Sequence, residues 1–336
     1  MSKSNSETDD LVHAAWLYHV GQLSQEEVGQ KLGISRFKVL RLLADARNQG
    51  IVRVSIEHET TNTQALADRL TTRFDLAEAQ VAPVPGGTMD PSYARRAVGI
   101  IAARFLNRIA RGNTPMTIGV GWGRTVAAMA QSLTDLRNPN LQFVSLMGSM
   151  TRTSQTSPFD VCAQLATRTG GSAMFLPAPF LTDSEADCQV ILNQRLVRET
   201  LEVARAAQYA IVSLGECTPD ALLHKMGILT DDEVLALNRS GAVADSTGKF
   251  FRQDGTLADT DLNLRAPSIG LGDLQRSDVT LLAAGATKVN ATLAVLRAGF
   301  VNRLIADEEL ARELLVAANK MGEQSVNTTG SKKLGG

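Results

Sequence analysis

The sequence has few cysteines, few aromatic residues and almost no net charge. Its three cysteines are odd in number and lack CxxC spacing, so we expect reduced core thiols rather than a disulfide framework or a metal site. Aromatic residues make up 4% of the 336-residue chain, which predicts a mostly aliphatic core. The net charge of −1 indicates no partner for the chain as a whole.

Long apolar segments are absent from the sequence as well. The first residues, "MSKSNSETDD", contain no apolar signal-peptide core, and no long uncharged apolar run follows. We therefore expect a soluble cytoplasmic protein without a membrane partner. Hydrophobic residues at 44% and charged residues at 21% are ordinary for a globular protein, and the length suggests two or three domains.

Positive charge is concentrated in one short segment. Between Lys31 and Arg53, six basic residues oppose one acidic residue, a local charge of +5 in a nearly neutral chain. Such a segment indicates a local anionic partner. A solvated helix face would carry similar charge, so charge alone does not separate the two interpretations.

The stretch from Ser24 to Gly50, which overlaps this basic segment, carries the signals of two helices joined by a tight turn. Ser24 and Glu27 match a capping box that opens a short helix. A turn at Gly33 leads to Ser35, the predicted N-cap of a second helix that stops at Gly50. This pattern predicts a helix-turn-helix, and the alternating segment "IVRVSIE" after it predicts a strand of a wing.

The second helix has a basic N-terminal half, which predicts the surface that contacts DNA. Its arginines suit guanine edges, and Lys38 suits phosphates. The candidate DNA-contacting residues are Ser35, Arg36, Phe37, Lys38 and Arg41. The alternative is an ordinary helical hairpin with surface charge.

The rest of the chain alternates between strand-like and helical segments. A polar linker near residues 57–63 is followed by the strand-like runs "EAQVAPV", "MTIGVG", "LQFVSLM", "YAIVSLG", "VTLLAAG" and "VNRLIAD". The alternation predicts an α/β domain, a parallel sheet with helices on both faces. We predict a DNA-binding domain over 1–57, an effector and oligomerisation domain over 58–323 and a disordered tail over 324–336.

Two features of this second domain predict binding surfaces. The stripe of Leu66, Leu70 and Phe74 on one helix is a predicted dimer contact. The segment "GVGWGRT" follows a strand and opens a helix, so its backbone N–H groups suit an anion. It matches neither the Walker loop nor the dinucleotide loop, and the alternative is that its glycines only permit close packing.

In a parallel sheet, ligands bind beyond the carboxyl ends of the strands, where several other distinctive residues also fall. Lys288 opens a helix, a place unfavourable for a cation unless an anion is bound there. Asp245 and Asp254 lie in a glycine-rich segment whose carboxylates suit sugar hydroxyls, although Asp254-Gly255 by itself is typical of a turn. The candidate effector-binding residues are Gly121, Trp122, Gly123, Arg124, Thr125, Gly148, Ser149, Asp245, Asp254 and Lys288.

From about Leu11 to Met321 the chain resembles the SorC-type sugar-binding transcriptional regulators. The resemblance rests on the ordered segments "GISRFKVLRLLADARNQGIVRVSI", "GVGWGRT", "GAVAD" and "KVNATLAVLRAGFVNRLIADEELA". It implies a DNA-binding N-terminal domain and a Rossmann-like effector domain akin to sugar-phosphate isomerases and deaminases. It also implies a dimer or tetramer whose binding to double-stranded operator DNA is set by a phosphorylated sugar or polyol, without a cofactor.

Carried over by motif, the resemblance implies phosphate contacts from Gly121, Gly123, Arg124, Thr125 and Lys288, and sugar contacts from Asp245. The sequence departs from the family pattern where two glycines are common, at Gly148-Ser149 and at Ala284-Gly285, and a Cβ there would narrow the room for a ligand. Leu40 also replaces a small polar residue in the recognition helix.

The alternative function is a sugar-phosphate isomerase or deaminase with an appended DNA-binding domain. Such an enzyme needs an acid/base pair near the sugar carbonyl. Only His224 of the four histidines lies in the effector region, and the sequence shows no carboxylate–histidine constellation there. We therefore predict a sensor rather than an enzyme, although Asp245 could serve as a base.

Overall fold

The computed structural model describes residues 3–52, 61–84, 91–150 and 158–331. The chain divides into two compact units, Met1–His58 and Glu59–Gly336. No helix in the described ranges is long and apolar enough to cross a membrane.

The first unit is a bundle of three helices: α1 (Lys3–His19), α2 (Gln25–Leu32) and α3 (Arg36–Asn48). Its core is a small aliphatic cluster made of Leu11, Ala14, Ala15, Val28, Val39, Leu43 and Ala46. The helix-turn-helix predicted from the sequence corresponds to α2 and α3. The predicted wing strand, residues 51–57, falls mostly outside the described residues.

The helix boundaries of this unit follow from local capping chemistry, as predicted. The Glu27 backbone N–H donates to Ser24 Oγ at 3.3 Å, and the Ser24 N–H donates back to Glu27 Oε2 at 2.7 Å. Gly33 ends α2 with a φ of 65°, a conformation that glycine adopts without strain. Ser35 Oγ then accepts from the Lys38 N–H at 3.3 Å and begins α3.

The second unit contains a seven-stranded, all-parallel sheet with the order β1-β10-β9-β5-β2-β3-β4. Its strands are β1 (Glu78–Ala82), β2 (Met116–Val120), β3 (Leu141–Ser145), β4 (Ser172–Met174), β5 (Tyr209–Ser213), β9 (Asp278–Ala283) and β10 (Arg303–Asp307). A three-stranded antiparallel sheet adds β6 (Gly215–Glu216), β7 (Ala242–Ser246) and β8 (Lys249–Arg252).

Helices cover both faces of the parallel sheet, as the alternation of segments predicted. The helices described in this unit are α4 (Thr61–Phe74), α5 (Pro91–Ile109), α6 (Arg124–Ser132), α7 (Pro158–Thr169), α8 (Glu185–Leu192), α9 (Arg195–Arg205), α10 (Leu222–Lys225), α11 (Asp231–Arg239), α12 (Leu262–Arg265), α13 (Leu271–Leu274), α14 (Val289–Arg297) and α15 (Glu308–Ser331). Side chains alternate along each strand, so Leu281 of β9 packs in one core cluster and Leu282 in the other.

The apolar stripe on α4 is used inside the second unit. Leu66 is 5% exposed and Leu70 is fully buried, in one core cluster with Leu310 and Leu314 of α15. The prediction that this stripe forms a dimer contact is therefore wrong. The 14-residue helix α4 contacts both the edge strand β1 and α15. Its apolar stripe is therefore buried against its own chain rather than left for a second copy.

The end of the chain also differs from the sequence prediction. The predicted disordered tail began at residue 324, whereas α15 continues to Ser331. Each residue added to an existing helix gains one backbone hydrogen bond, so a helix anchored in the core can extend through a polar sequence that lacks proline.

Thr280 of β9 is a polar residue without a partner in the core. It is 1% exposed, and its Oγ1 is buried without a hydrogen bond in the described structure. Thr280→Val is expected to raise the free energy of unfolding by about 1–2 kcal/mol, because the unsatisfied hydroxyl is removed at nearly constant volume. Urea denaturation measures this change.

Thr200→Val is the matched control for this prediction. Thr200 is also buried, but its Oγ1 donates to the Leu196 carbonyl oxygen at 2.9 Å. Its replacement is expected to be neutral or destabilising by about 0.5–1.5 kcal/mol. Equal effects of the two substitutions would show that the Thr280 hydroxyl is satisfied in solution.

Candidate effector cleft and DNA-contact helix

A cleft opens beyond the carboxyl ends of β2, β5 and β9, where β6 and β7 meet the parallel sheet. It encloses about 590 Å³ of space, part of it open to solvent. Its polar lining is formed by Arg95, Gly123, Arg124, Thr125, Ser213, Gly215, Glu216, Asp220, Asp245 and Lys288, and its apolar lining by Trp122, Leu214, Ala221, Leu222 and Leu223. Six residues predicted from the sequence are thereby brought together.

The N-terminus of α6 faces this cleft. Gly123 is the N-cap, with a φ of 125°, and no side chain caps the helix. A Cβ at Gly123 would lie 2.4 Å from Ser213 Oγ, which donates to the Trp122 carbonyl oxygen at 2.6 Å. The loop therefore lies tightly against the end of β5 and leaves the first-turn N–H groups of a nine-residue helix for an anion.

Lys288 reaches the same cleft from the turn after β9. Gly285 starts this turn with a φ of 100°, and its N–H donates to Asp307 Oδ2 at 2.6 Å. Lys288 Nζ donates to the Leu214 carbonyl oxygen at 2.8 Å. Burial lowers the pKa of Lys288 to about 8 against the attraction of Glu216. A bound anion would restore the ordinary preference for the charged amine.

Asp245 supplies a buried carboxylate opposite this cation. It is 3% exposed, and burial raises its pKa to about 7, although Lys288 acts in the opposite direction. Within the described part of the chain, no residue donates a hydrogen bond to this carboxylate. Gly215, its register partner in β6, must be a glycine, because a Cβ there would lie 2.0 Å from Asp245 Oδ1.

Sequence reasoning missed three charged residues of the cleft. Arg95 comes from the first turns of α5, and Glu216 follows Gly215 in the short strand β6. Asp220 lies just before α10 and pairs with the exposed Lys225 at 3.0 Å. Of these three residues, only Arg95 could have been predicted from the sequence. Helix α5 follows β1 as α6 follows β2, so the N-termini of both helices lie at the same end of the sheet.

Trp122 lines the cleft as part of its wall. It is 7% exposed and packs edge-to-face on Phe180, with ring centroids 5.6 Å apart. This placement favours a packing role for Trp122 at the end of the sheet over stacking on a sugar.

Four of the predicted effector residues are not among those that line the cleft. Gly121 lies against β5, and its N–H donates to the Ile211 carbonyl oxygen at 2.8 Å. Gly148 permits close packing, because a Cβ there would lie 2.0 Å from the Pro179 carbonyl oxygen. Ser149 uses its N–H on the Ala178 carbonyl oxygen at 2.9 Å, so its backbone is occupied.

Asp254 is the fourth and lies in a turn after β8. Its Oδ1 accepts from the N–H of Thr256 at 2.9 Å and from its hydroxyl at 2.7 Å, which lowers the pKa of Asp254. Ala284, next to Gly285, is 4% exposed and packs in one core cluster with Leu282.

His224 has a carboxylate partner that the sequence did not show. Its Nε2 lies 2.7 Å from Asp231 Oδ1, and its Nδ1 lies 2.7 Å from the Pro219 carbonyl oxygen. The Pro219 carbonyl and then Asp231 raise the pKa of His224. The pair links α10 to α11 and is not part of the cleft lining, so it offers no acid/base group to a ligand there.

The outer face of α3 is solvent-exposed, whereas its inner face carries core residues. Phe37 is 84% exposed, and the Arg41 side chain is 85% exposed, 3.9 Å from Asp45. Arg36 and Lys38 are also exposed, and Arg36 Nε lies 3.4 Å from Gln25 Oε1. The predicted DNA-contacting side chains thus share one surface, except that the Ser35 hydroxyl is used as the helix cap.

A helical unit with an exposed basic helix, joined to a Rossmann-like unit with an anion-ready cleft, is the arrangement of a ligand-responsive DNA-binding regulator. The family model described as a sugar-binding domain matches residues 58–316. The erythritol catabolism regulatory protein EryD of Brucella abortus is 32% identical over 94% of this chain and 99% of its own. The transcriptional regulator LsrR of Escherichia coli is 29% identical over 92% of this chain and 95% of its own.

The fold agrees with these sequence matches. The full-length sorbitol operon regulator SorC of Klebsiella pneumoniae superposes with a TM-score of 0.71, at 24% identity, over 91% of this chain and 97% of its own. The chain therefore belongs to the sugar-binding domain family of transcriptional regulators, as the resemblance predicted. The relatives are named as regulators, among them the erythritol catabolism regulatory protein and the deoxyribonucleoside regulator of Bacillus subtilis, which supports a regulator over the alternative of an isomerase or deaminase.

Proposed function

We propose that this protein binds operator DNA through α3 and that a phosphorylated sugar or polyol in the cleft controls that binding. The observation that carries the proposal is Asp245, a buried carboxylate without a hydrogen-bond donor, in the same cleft as Arg124 and Lys288. The carboxylate oxygens of Asp245 face the cleft and accept hydrogen bonds, so a ligand hydroxyl can donate to them.

The two ends of the cleft suit the two ends of such a ligand. The N-terminus of α6, Arg124 and Lys288 offer N–H donors and positive charge to a phosphate. Asp245 and Glu216 offer carboxylate oxygens to hydroxyl groups. We propose that the protein senses this ligand without converting it and acts in the cytoplasm as a homo-oligomer on a two-fold symmetric operator.

The ligand class can be tested by thermal shift against phosphorylated and free sugars and polyols. A true effector at about 100 times its dissociation constant adds roughly 2.7 kcal/mol of stability. We expect the phosphorylated member of a pair to stabilise the protein more than the free one. Equal stabilisation would contradict the phosphate assignment, and turnover of the ligand detected by NMR would favour the enzyme alternative.

Operator binding is expected to depend on the arginines of α3. Arg36→Ala or Arg41→Ala costs about 1–3 kcal/mol if the residue reads a base, whereas Lys38→Ala weakens all sequences alike and lowers the salt dependence by about one unit. Fluorescence anisotropy on an operator selected from random DNA measures both effects. Arg47→Ala is the control, because Arg47 lies in the last turn of the same helix. Unchanged affinity in both arginine variants would refute the DNA surface.

Effector affinity is expected to be greatest between about pH 7 and pH 8. Below the pKa of Asp245, about 7, the carboxyl is protonated and accepts fewer hydroxyl hydrogen bonds, so affinity falls as the pH falls. Above the pKa of Lys288, about 8, the amine loses its charge, so affinity falls as the pH rises. Calorimetric titration from below pH 7 to above pH 8 measures both losses of effector affinity. Each loss is at most about tenfold per pH unit.

Two substitutions show whether this pH dependence of effector affinity comes from the protein or from titration of the ligand's own phosphate. A phosphate monoester titrates near pH 6, about one unit below Asp245. Asp245→Asn is expected to weaken effector binding and to abolish the loss of affinity below about pH 7. Asp254→Asn, in its exposed turn, is the control and is expected to leave the whole pH dependence unchanged. If Asp245→Asn still loses effector affinity below about pH 7 as the wild type does, another group is responsible for that loss.

A further inference from the structure

A second exposed surface, on α1, has no role in the function proposed above. Four residues of α1 with a spacing of three, four and three lie on one side of the helix: Asp9, Val12, Trp16 and His19. All four are exposed, and Trp16 is 63% exposed. The other side of α1 is buried in the core of the unit. We call these four residues the α1 stripe.

The α1 stripe is complementary to itself when two copies run antiparallel. A two-fold axis beside position 14 places Asp9 opposite His19 of the partner subunit and Val12 opposite Trp16 of the partner subunit. The apolar residues then meet at the centre, and an acid meets a base at each end. A parallel pair would instead place Asp9 against its own copy, where like charges repel.

We propose that the α1 stripe is a self-association surface, through which two copies of the first unit pair by antiparallel α1 helices. Val12 and Trp16 are 41% and 63% exposed, and tryptophan is enriched among the residues that contribute most to the binding energy of protein interfaces. The pairing relates two α3 helices by a two-fold axis, as a symmetric operator requires. The inference adds a contact to the proposed function and does not depend on which effector binds.

Disulfide cross-linking of the full chain tests this pairing. Cys162, Cys188 and Cys217 are all buried, so introduced thiols are the reactive ones. In the double variant Asp9→Cys/His19→Cys the two positions lie about 15 Å apart along one helix. A disulfide needs Cα atoms within about 7 Å, so any bond formed joins two chains.

We expect the double variant to become mostly a covalent dimer on mild oxidation. A co-expressed pair of chains, one with Asp9→Cys and the other with His19→Cys, is expected to cross-link as well. Each single variant alone is the matched control and should remain at background, because like positions are again about 15 Å apart across the axis.

Two results would overturn the proposal. One is a double variant whose thiols react with maleimide but do not join two chains. The other is equal cross-linking in the single variants, which indicates random collision or a parallel pair. Operator binding is measured separately, so a protein that binds operator without cross-linking contradicts the α1 contact and leaves the proposed function intact.

Discussion

Arg124→Ala and Lys288→Ala are each expected to weaken binding of a phosphorylated effector about tenfold to hundredfold. Each substitution removes one charge-assisted hydrogen bond, worth about 1.5–3 kcal/mol. In the free protein Lys288 Nζ contacts the Leu214 carbonyl oxygen, so its removal costs one ordinary hydrogen bond and leaves the fold intact. Calorimetric titration with the ligand from the thermal-shift screen measures the loss.

Lys320→Ala is the matched control for these substitutions. Lys320 carries the same charge as Lys288, but it is exposed on α15 and is not among the residues that line the cleft. The effector affinity of this variant is therefore expected to stay close to that of the wild type. If Arg124→Ala and Lys288→Ala also bind as the wild type does, the glycine loop serves packing alone.

Gly123→Val is expected to lose more than either charge substitution, more than about a hundredfold in effector affinity, together with a lower melting temperature. A φ of 125° is a region that side chains rarely adopt, at a cost of about 1–3 kcal/mol. The new Cβ also meets Ser213 Oγ at 2.4 Å and pushes the N-terminus of α6 away from its anion position. Titration and thermal unfolding measure the two losses.

Two further variants locate the cause of this loss. Gly272→Ala, in α13, is the control, because a Cβ there meets nothing within 4 Å. Gly123→Ala/Ser213→Ala removes the hydroxyl that collides but keeps the unfavourable φ. Full recovery in the double variant would assign the effect to the collision alone, whereas we expect partial recovery.

The elements predicted well from the sequence are those whose signals are local. Ser24 with Glu27, Gly33 and Ser35 satisfy the ends of α2 and α3 within a few residues, so the helix-turn-helix could be predicted from a short stretch. The parallel sheet followed from alternating apolar segments, because a strand buried on both faces is apolar throughout.

The cleft was predictable only in part. Residues directly after β2 and β9 were found, because the carboxyl ends of parallel strands share one edge. Glu216 was missed, because its place depends on how β6 pairs with β7 across thirty residues of sequence. Gly148 and Asp254 do not line this cleft, and glycines for packing and aspartates in turns look the same in sequence as ligand-binding residues.

The most direct test of the proposed function measures operator affinity with and without effector, in the wild type and in Arg124→Ala/Lys288→Ala. We predict that the wild type changes its operator affinity when effector is added, and that operator changes its effector affinity by the same factor. The double variant should bind operator as the effector-free wild type does and should not respond at effector concentrations that saturate the wild type. A double variant that responds as the wild type does would contradict the effector cleft.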